Sequence, residues 1–362
     1  MDRSTNRARL TAWRIACFAS LLACGASLQA DHRIQLTVDT SEADAVLFIL
    51  ARRTAGEPVV ASDWERLFGS EPYRRLKRRE REMKRAFEDD EFQRFVLSDT
   101  LLKGARELEG TVAAWKRADL EAAARRVLTY LPSQSRIRAK VFPVIKPQTN
   151  SFVFDVQTDP AIFLYVDPAL GAEQFENTVG HELHHIGLAS VAGEMEPALK
   201  GLPPRARAAA EWMGAFGEGM AMLAAAGGPD VHPHAHSSPE DRARWDHDLA
   251  NFSRDLQSVE RFFLNVIDGR LAGEDEIRQK GFAFFGVQGP WYTVGWKMAA
   301  LVEQRYGRET LIECMLDPRR LLATYNRATT MRKSNERLPV WSPRLLRAVR
   351  ARPAGAAPSM QR

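Results

Sequence analysis

Five consecutive residues near the middle of the chain, His181-Glu182-Leu183-His184-His185, constrain it more than any other feature. They match the pattern His-Glu-x-x-His. At 3.6 residues per turn, positions i and i+4 stand about 40° apart around a helix and about 6 Å along it, so both imidazoles reach one ion only if the segment is helical. The flanks agree, because an apolar-periodic helix is expected from about Ala172 to Ile186, ending near Gly187. Two imidazoles suit Zn2+, which takes nitrogen ligands tetrahedrally and keeps one position for water when the site is catalytic. Glu182, adjacent to the first His, is then the candidate general base. A chain of this composition yields the pattern by chance about once in eighty. The competing reading is a surface helix with clustered histidines. His184 competes for the ion only in a register that removes Glu182 from the base position, so it is expected to line or support the site.

A third protein ligand is needed. The extended pattern with a third His fails, since Leu188 stands where Gly is required and Val191 where His is required. Downstream, Gly217-Glu218-Gly219-Met220-Ala221-Met222 lies in a helical stretch expected over Arg205–Ala226. Glu218 follows His185 by 33 positions, enough for a connection and the antiparallel return of a second helix. Gly217 and Gly219 would let that helix approach the first closely, at about 1 kcal/mol each in helix propensity. Glu211 is the alternative ligand; it precedes Glu218 by about 10 Å of helical rise, so one rigid helix cannot easily present both to one ion.

Composition bounds the remainder. With 362 residues, 45% hydrophobic and three Cys, the chain is neither a disordered polymer, a collagen-like fibre nor a disulfide-stapled miniprotein. No stretch beyond the first thirty residues holds the roughly 18 uncharged apolar residues of a spanning helix. At the N-terminus Arg3, Arg7, Arg9 and Arg14 precede an apolar run from Ile15 to Cys24 and then Leu28-Gln29-Ala30. This reads as a secretory signal cut after Ala30, making the protein periplasmic or extracellular. Leu21-Leu22-Ala23-Cys24-Gly25 resembles a bacterial lipobox, so a lipid anchor at Cys24 is the alternative. Removing the four Arg and one Asp of residues 1–30 lowers the net charge from +5 to +2. The dense basic run from Tyr73 to Arg85 is followed at once by Phe87-Glu88-Asp89-Asp90-Glu91 and reads as a solvated helix face rather than a nucleic-acid surface. With at most Cys24 and Cys314 retained, structural disulfides are not expected.

Along the chain, Thr40 to Leu131 is helical in pattern, with helices expected from Ser41 and over Glu71–Phe87, Glu91–Leu108 and Val112–Tyr130. Three β-rich runs come next, Val141–Ile145, Phe152–Phe154 and Ile162–Val166. The last could hold an extended peptide by edge pairing, although burial against helices would produce the same residues. Gly227 to Pro239 is a Pro- and Gly-rich loop carrying His232, His234 and His236, expected to be solvated, with weak metal binding or a place beside the cleft as the alternative. Helices resume over Asp246–Leu271, Thr293–Tyr306 and Glu309–Cys314. The plan is therefore a signal peptide (1–30), an N-terminal helical region (31–136), a catalytic region (137–350) and a flexible tail (351–362). The fold class is α+β, predominantly helical, with a small sheet next to the His-Glu-x-x-His helix.

His181-Glu182-x-x-His185 with the later Glu218-Gly219-x-Ala221 resembles the gluzincin metallopeptidases. The resemblance implies a zincin-like fold with Glu218 as third zinc ligand. The segments Asn150–Asp155 and Phe175–His181 are similar to a group of exported bacterial proteins described as zinc-dependent peptidases, a likeness that spans most of the mature chain and names no substrate. The interval between His185 and Glu218 is longer than in the better-known gluzincins. Tyr292, within Gly289-Pro290-Trp291-Tyr292-Thr293-Val294-Gly295-Trp296, resembles the tyrosine before a helix that related peptidases use as an oxyanion donor; an aromatic packed beside Trp291 and Trp296 is the equal alternative. The function so implied is that of a secreted zinc-dependent hydrolase acting on a peptide or protein. A non-catalytic zinc-binding envelope interaction protein is one rival, disfavoured because such a site has no need of Glu182. A zinc hydrolase of a non-peptide bond is the other.

Overall fold

The computed structural model describes residues 31–193, 199–330 and 338–350. The expected signal segment, with Cys24 and Ala30, and the expected tail from Ala351 lie outside the described residues. In chain order the elements are β1 (Ile34–Val38), α1 (Ser41–Thr54), α2 (Ala61–Phe68), α3 (Glu71–Glu82), α4 (Asp89–Val96), α5 (Asp99–Trp115), α6 (Leu120–Leu128), β2 (Ile137–Val144), β3 (Phe152–Phe154), β4 (Ala161–Tyr165) and α7 (Ala172–Ala189). Then come α8 (Pro204–Met213), a 3-10 turn (Gly214–Phe216), α9 (Gly217–Ala226), α10 (Pro239–Ala250), α11 (Phe252–Asp268), α12 (Glu274–Phe282), α13 (Pro290–Tyr306), α14 (Arg308–Leu316), α15 (Pro318–Thr330) and α16 (Pro343–Ala348). The protein is thus α+β and predominantly helical, with a small sheet.

The sheet runs β1-β2-β4-β3, with the first three strands parallel and β3 antiparallel to β4 through Phe152 opposite Phe163. β2 and β4 read as nearly continuous apolar runs because both their faces are covered; Val141, Phe142, Val144, Ile162 and Phe163 are all fully buried. Helices α1, α6 and α7 lie against this sheet and close the first of two apolar clusters, which extends from Ala43 to Ile186. Residues on both sides of position 136 therefore share one sheet and one core. The second cluster is helical and gathers α8, α9 and α11 to α16. Leu188, near the end of α7, packs against both.

Several expectations need correction. β4 is flanked by β2 and β3, so Ile162–Val166 offers no free edge for a peptide; its apolar run reflects burial. β1 is an additional strand, its Ile-Gln-Leu-Thr-Val alternation paired on β2. The helices expected over 91–108 and 112–130 break elsewhere, because Ser98 and Asp119 accept the backbone N–H of Leu101 and Ala122 and start new helices there. The stretch 246–271 is likewise two helices meeting at Asn251. α2, α12, α15 and α16 are additional helices. Nor is the basic run simply solvated. Arg75 is buried and pairs with Asp155 at 2.9 Å and Asp159 at 2.8 Å, while the Arg79 guanidinium lies 3.7 Å from the Phe152 ring centre, so α3 is docked on the β3–β4 hairpin. Among the described residues Cys314 is a free, buried thiol, and no helix is long and apolar enough to cross a membrane.

Candidate metal centre

The burial pattern of α7 sets the direction in which its histidines face. Phe175, Val179, Leu183 and Ile186 recur at helical spacing and are buried, leaving His181, Glu182 and His185 on the partly accessible side. Trp115 stacks on Phe175 at 4.3 Å and donates its indole N–H to the Leu170 carbonyl at 3.1 Å, holding the start of the helix. Gly187 allows close seating farther along, since a Cβ there would stand 2.3 Å from Leu131 Cδ1.

α9 delivers the third donor. Gly180 of α7 faces Ala225 near the end of α9, while His185 meets Glu218 near its start, so the two helices run antiparallel. Glu218 Oε2 lies 3.1 Å from His181 Nε2 and 3.3 Å from His185 Nε2, and the two imidazole nitrogens are 3.1 Å apart. Donors about 2.1 Å from a tetrahedral ion lie about 3.4 Å from one another. The triangle therefore fits zinc in size as well as in donor chemistry. The side chains of His181, Glu218 and His185 are 13%, 19% and 31% exposed, enclosed yet open to a ligand. Burial would raise the Glu218 pKa, but hydrogen bonds to His181 and His185 outweigh it and hold the carboxyl well below the usual carboxylate range. For His185 burial acts downward, and the Glu218 carboxylate, with Glu182 beyond it, more than compensates and leaves the imidazole raised.

Among the described residues this is the one cluster of three metal-ligating side chains. Glu211 stands outside it, exposed on α8, and the 3-10 turn interrupts what would otherwise be one rod carrying both carboxylates. His184 is also outside it: fully buried, its ring 6.1 Å from that of His185, with neither nitrogen bonded to a protein group. Burial, and then the neighbouring His185 and His181, push its pKa far down, so it stays neutral.

Tyr292 lies beside the cluster. Its ring stacks on that of His181, 6.2 Å between centres with 20° between planes. Burial first, then the charge and hydrogen-bond acceptance of Glu218, hold the phenol above its ordinary range, with a further contribution from Glu182. The glycines of α9 act differently from expectation. Gly217 has nothing near it, and Gly219 faces α13 rather than α7: a Cβ on it would lie 2.0 Å from Trp296 N and 2.5 Å from Tyr292 O. Gly295 completes this contact and has no signal in the sequence beyond being a glycine within an otherwise helical run. In the 227–239 loop His234 is buried and bonded to Ser237, His232 pairs with Asp246 at 3.0 Å, and His236 pairs with Glu173 of α7 at 2.9 Å. The three histidines turn to three separate partners, so the loop is docked rather than simply solvated.

A family model described as "Putative zinc dependent peptidase (DUF5700)" matches residues 64–334. The chain belongs to this family. No curated protein and no solved structure matches it. The matched span contains His181, Glu182, His185, Glu218 and Tyr292, and the cofactor is zinc: the family is described as zinc-dependent, and the chain brings a fitting set of three donors together.

Proposed function

We propose that the protein is an exported, gluzincin-type metallopeptidase in which His181, His185 and Glu218 hold zinc, Glu182 is the general base and Tyr292 donates to the oxyanion. The observation that carries this reading is the 3.1–3.3 Å convergence of the three donor atoms with Glu182 at the adjacent position and Tyr292 stacked on the first ligand. Bound zinc supplies a Lewis acid that polarises a carbonyl and makes water acidic enough to attack near neutral pH. Glu182 takes the proton from that water as the new C–O bond forms, then delivers it to the leaving nitrogen as the C–N bond breaks. The Tyr292 phenol, a neutral O–H donor near neutral pH, donates toward the carbonyl oxygen as its negative charge develops.

Export rests on the N-terminal sequence, with cleavage after Ala30 or lipidation at Cys24, and the substrate is a peptide or protein. Glu182→Gln tests the chemistry, because it retains the shape and removes the base. Turnover of a peptide library should fall about 10²–10⁴-fold while zinc content stays near one per chain. Unchanged turnover in that variant would refute the assignment, and cleavage confined to ester or amide libraries would transfer the same site to a non-peptide bond.

A further inference from the structure

The turn between α12 and α13, residues 283–289, borders the metal centre without entering the chemistry above. It presents apolar side chains outward. Phe282 at its start is 58% exposed and Val287 72% exposed, whereas Phe284 turns inward against Phe262 and Trp291. Single exposed apolar residues are ordinary, but Phe282 is joined to the site by ring contacts, and Val287 lies in the same turn two residues beyond Phe285. The Phe282 ring lies 5.8 Å from Phe285, Phe285 lies 6.4 Å from Tyr292, and Tyr292 lies 6.2 Å from His181. Rings thus lead from solvent to a metal ligand.

The turn is also held in shape. Phe285 N–H bonds Phe282 O at 3.0 Å, Gly289 N–H bonds Phe285 O at 2.6 Å and Trp291 N–H bonds Phe284 O at 3.3 Å. Gly286 has φ +53°, and Gln288 sits at φ +139°, a region that residues with a Cβ rarely enter. A backbone fixed in this way keeps Phe282 and Val287 from folding back into the core. From Gly281 to Tyr292 there is no charged residue. This segment thus brings no charge of its own to the side of Tyr292 away from Glu218 and Glu182, and its exposed apolar side chains suit a large apolar group rather than an acidic or basic one.

We infer that Phe285 and Val287, with Phe282 behind them, form the specificity wall of the site and receive a large apolar side chain of the substrate next to the scissile bond. The inference rests on the peptidase reading, and the occupant is a peptide because the ring contacts run to Tyr292 and His181. The zinc-loaded Glu182→Gln protein is titrated with two fluorescein-labelled heptapeptides that differ only in a central Phe or Ser. Burial of the Phe side chain should favour that peptide at least about tenfold. Adding Val287→Asp, at an exposed position that cannot disturb the core, should reduce the preference below about threefold, and Phe285→Ser should do the same with zinc content unchanged. Equal binding of the two peptides, or a preference that survives both substitutions, overturns the wall. So does a Val287→Asp protein that keeps its peptide preference and loses only binding to phospholipid vesicles, which would make the turn a membrane contact. Cleavage by the wild-type protein separates the two claims: selective binding without any cleavage sinks the peptidase reading alone, and cleavage without apolar preference sinks this one alone.

Discussion

Gly219 and Gly295 meet backbone to backbone: a Cβ on Gly219 would stand 2.4 Å from the Gly295 carbonyl carbon, and one on Gly295 would stand 3.3 Å from the Gly219 Cα. Glu218 and Tyr292 flank this contact on α9 and α13, so the closeness of two helices sets the closeness of a metal donor and a phenol. The atoms in the way are backbone, and no rotamer change relieves them. Gly219→Ala is expected to destabilise the protein by about 1–3 kcal/mol and to weaken zinc binding as α9 is displaced. Thermal melts with and without metal check this, and a melt unchanged in both conditions would refute the contact.

Zinc content should separate the two carboxylates considered for the third ligand. Glu218→Ala is expected to lose the metal, as is His185→Ala, while Glu211→Ala retains it, because Glu211 is exposed and outside the donor triangle. Chelation should lower the melting temperature of the wild type, since a ligand at a thousand times its Kd stabilises the native state by about 4 kcal/mol. Metal analysis of the purified variants is decisive: retention of zinc in Glu218→Ala would move the site elsewhere.

Tyr292→Phe removes only a hydroxyl. Loss of one oxyanion donor costs about 10²–10³ in kcat, so a fall of that size with KM and zinc content nearly constant is expected from steady-state kinetics. A variant with wild-type kcat would return Tyr292 to the role of an aromatic packed on His181.

A pH dependence of stability should arise far from the catalytic chemistry. Glu42 of α1 is fully buried; its Oε2 accepts the Ile145 N–H at 2.9 Å and its Oε1 has no protein partner. Burial pushes its pKa up to about 8, against smaller opposing effects of the Ile145 N–H and Lys146. The folded state then holds a proton that the unfolded chain has released, from the ordinary value of 4.5 up to about 8. The contribution is fully present below 4.5 and is lost as pH rises through about 8, on the order of a few kcal/mol in all. Glu42→Gln should flatten denaturant-derived stability across that window and leave the variant more stable than wild type at pH 8.5. Parallel curves for the two proteins would show that the carboxyl ionises without penalty.

His181, Glu182 and His185 were legible because everything they require is local: a helix places i and i+4 on one face, and the apolar spacing of Phe175, Val179, Leu183 and Ile186 turns that face outward. The runs that became β2, β3 and β4 were legible for a similar reason, since β-branched and aromatic clusters between turn residues carry a short-range signal. β4 as an interior strand was not, because pairing partners lie in other segments and a buried strand reads the same at an edge or a centre. The helix expected over Glu71–Phe87 was visible, although it ends at Glu82, but its docking on Asp155 and Asp159 depends on residues some eighty positions away.

The sequence alone pointed to zinc as the cofactor, since two histidines at helical i, i+4 spacing suit few purposes better than holding that ion. It also narrowed the third donor to two glutamates. Choosing between them needed the tertiary structure: the 3-10 turn at Gly214–Phe216 separates Glu211 from Glu218, and the antiparallel seating of α9 on α7 brings only the latter to within 3.3 Å of both imidazoles. The neighbour of Gly219, the place of Tyr292 and the aromatic turn beside it were decided there as well. Local periodicity fixes which face of a helix is apolar, whereas the distance between two helices is set by contacts such as Gly219 with Gly295, whose partners the chain separates by dozens of residues.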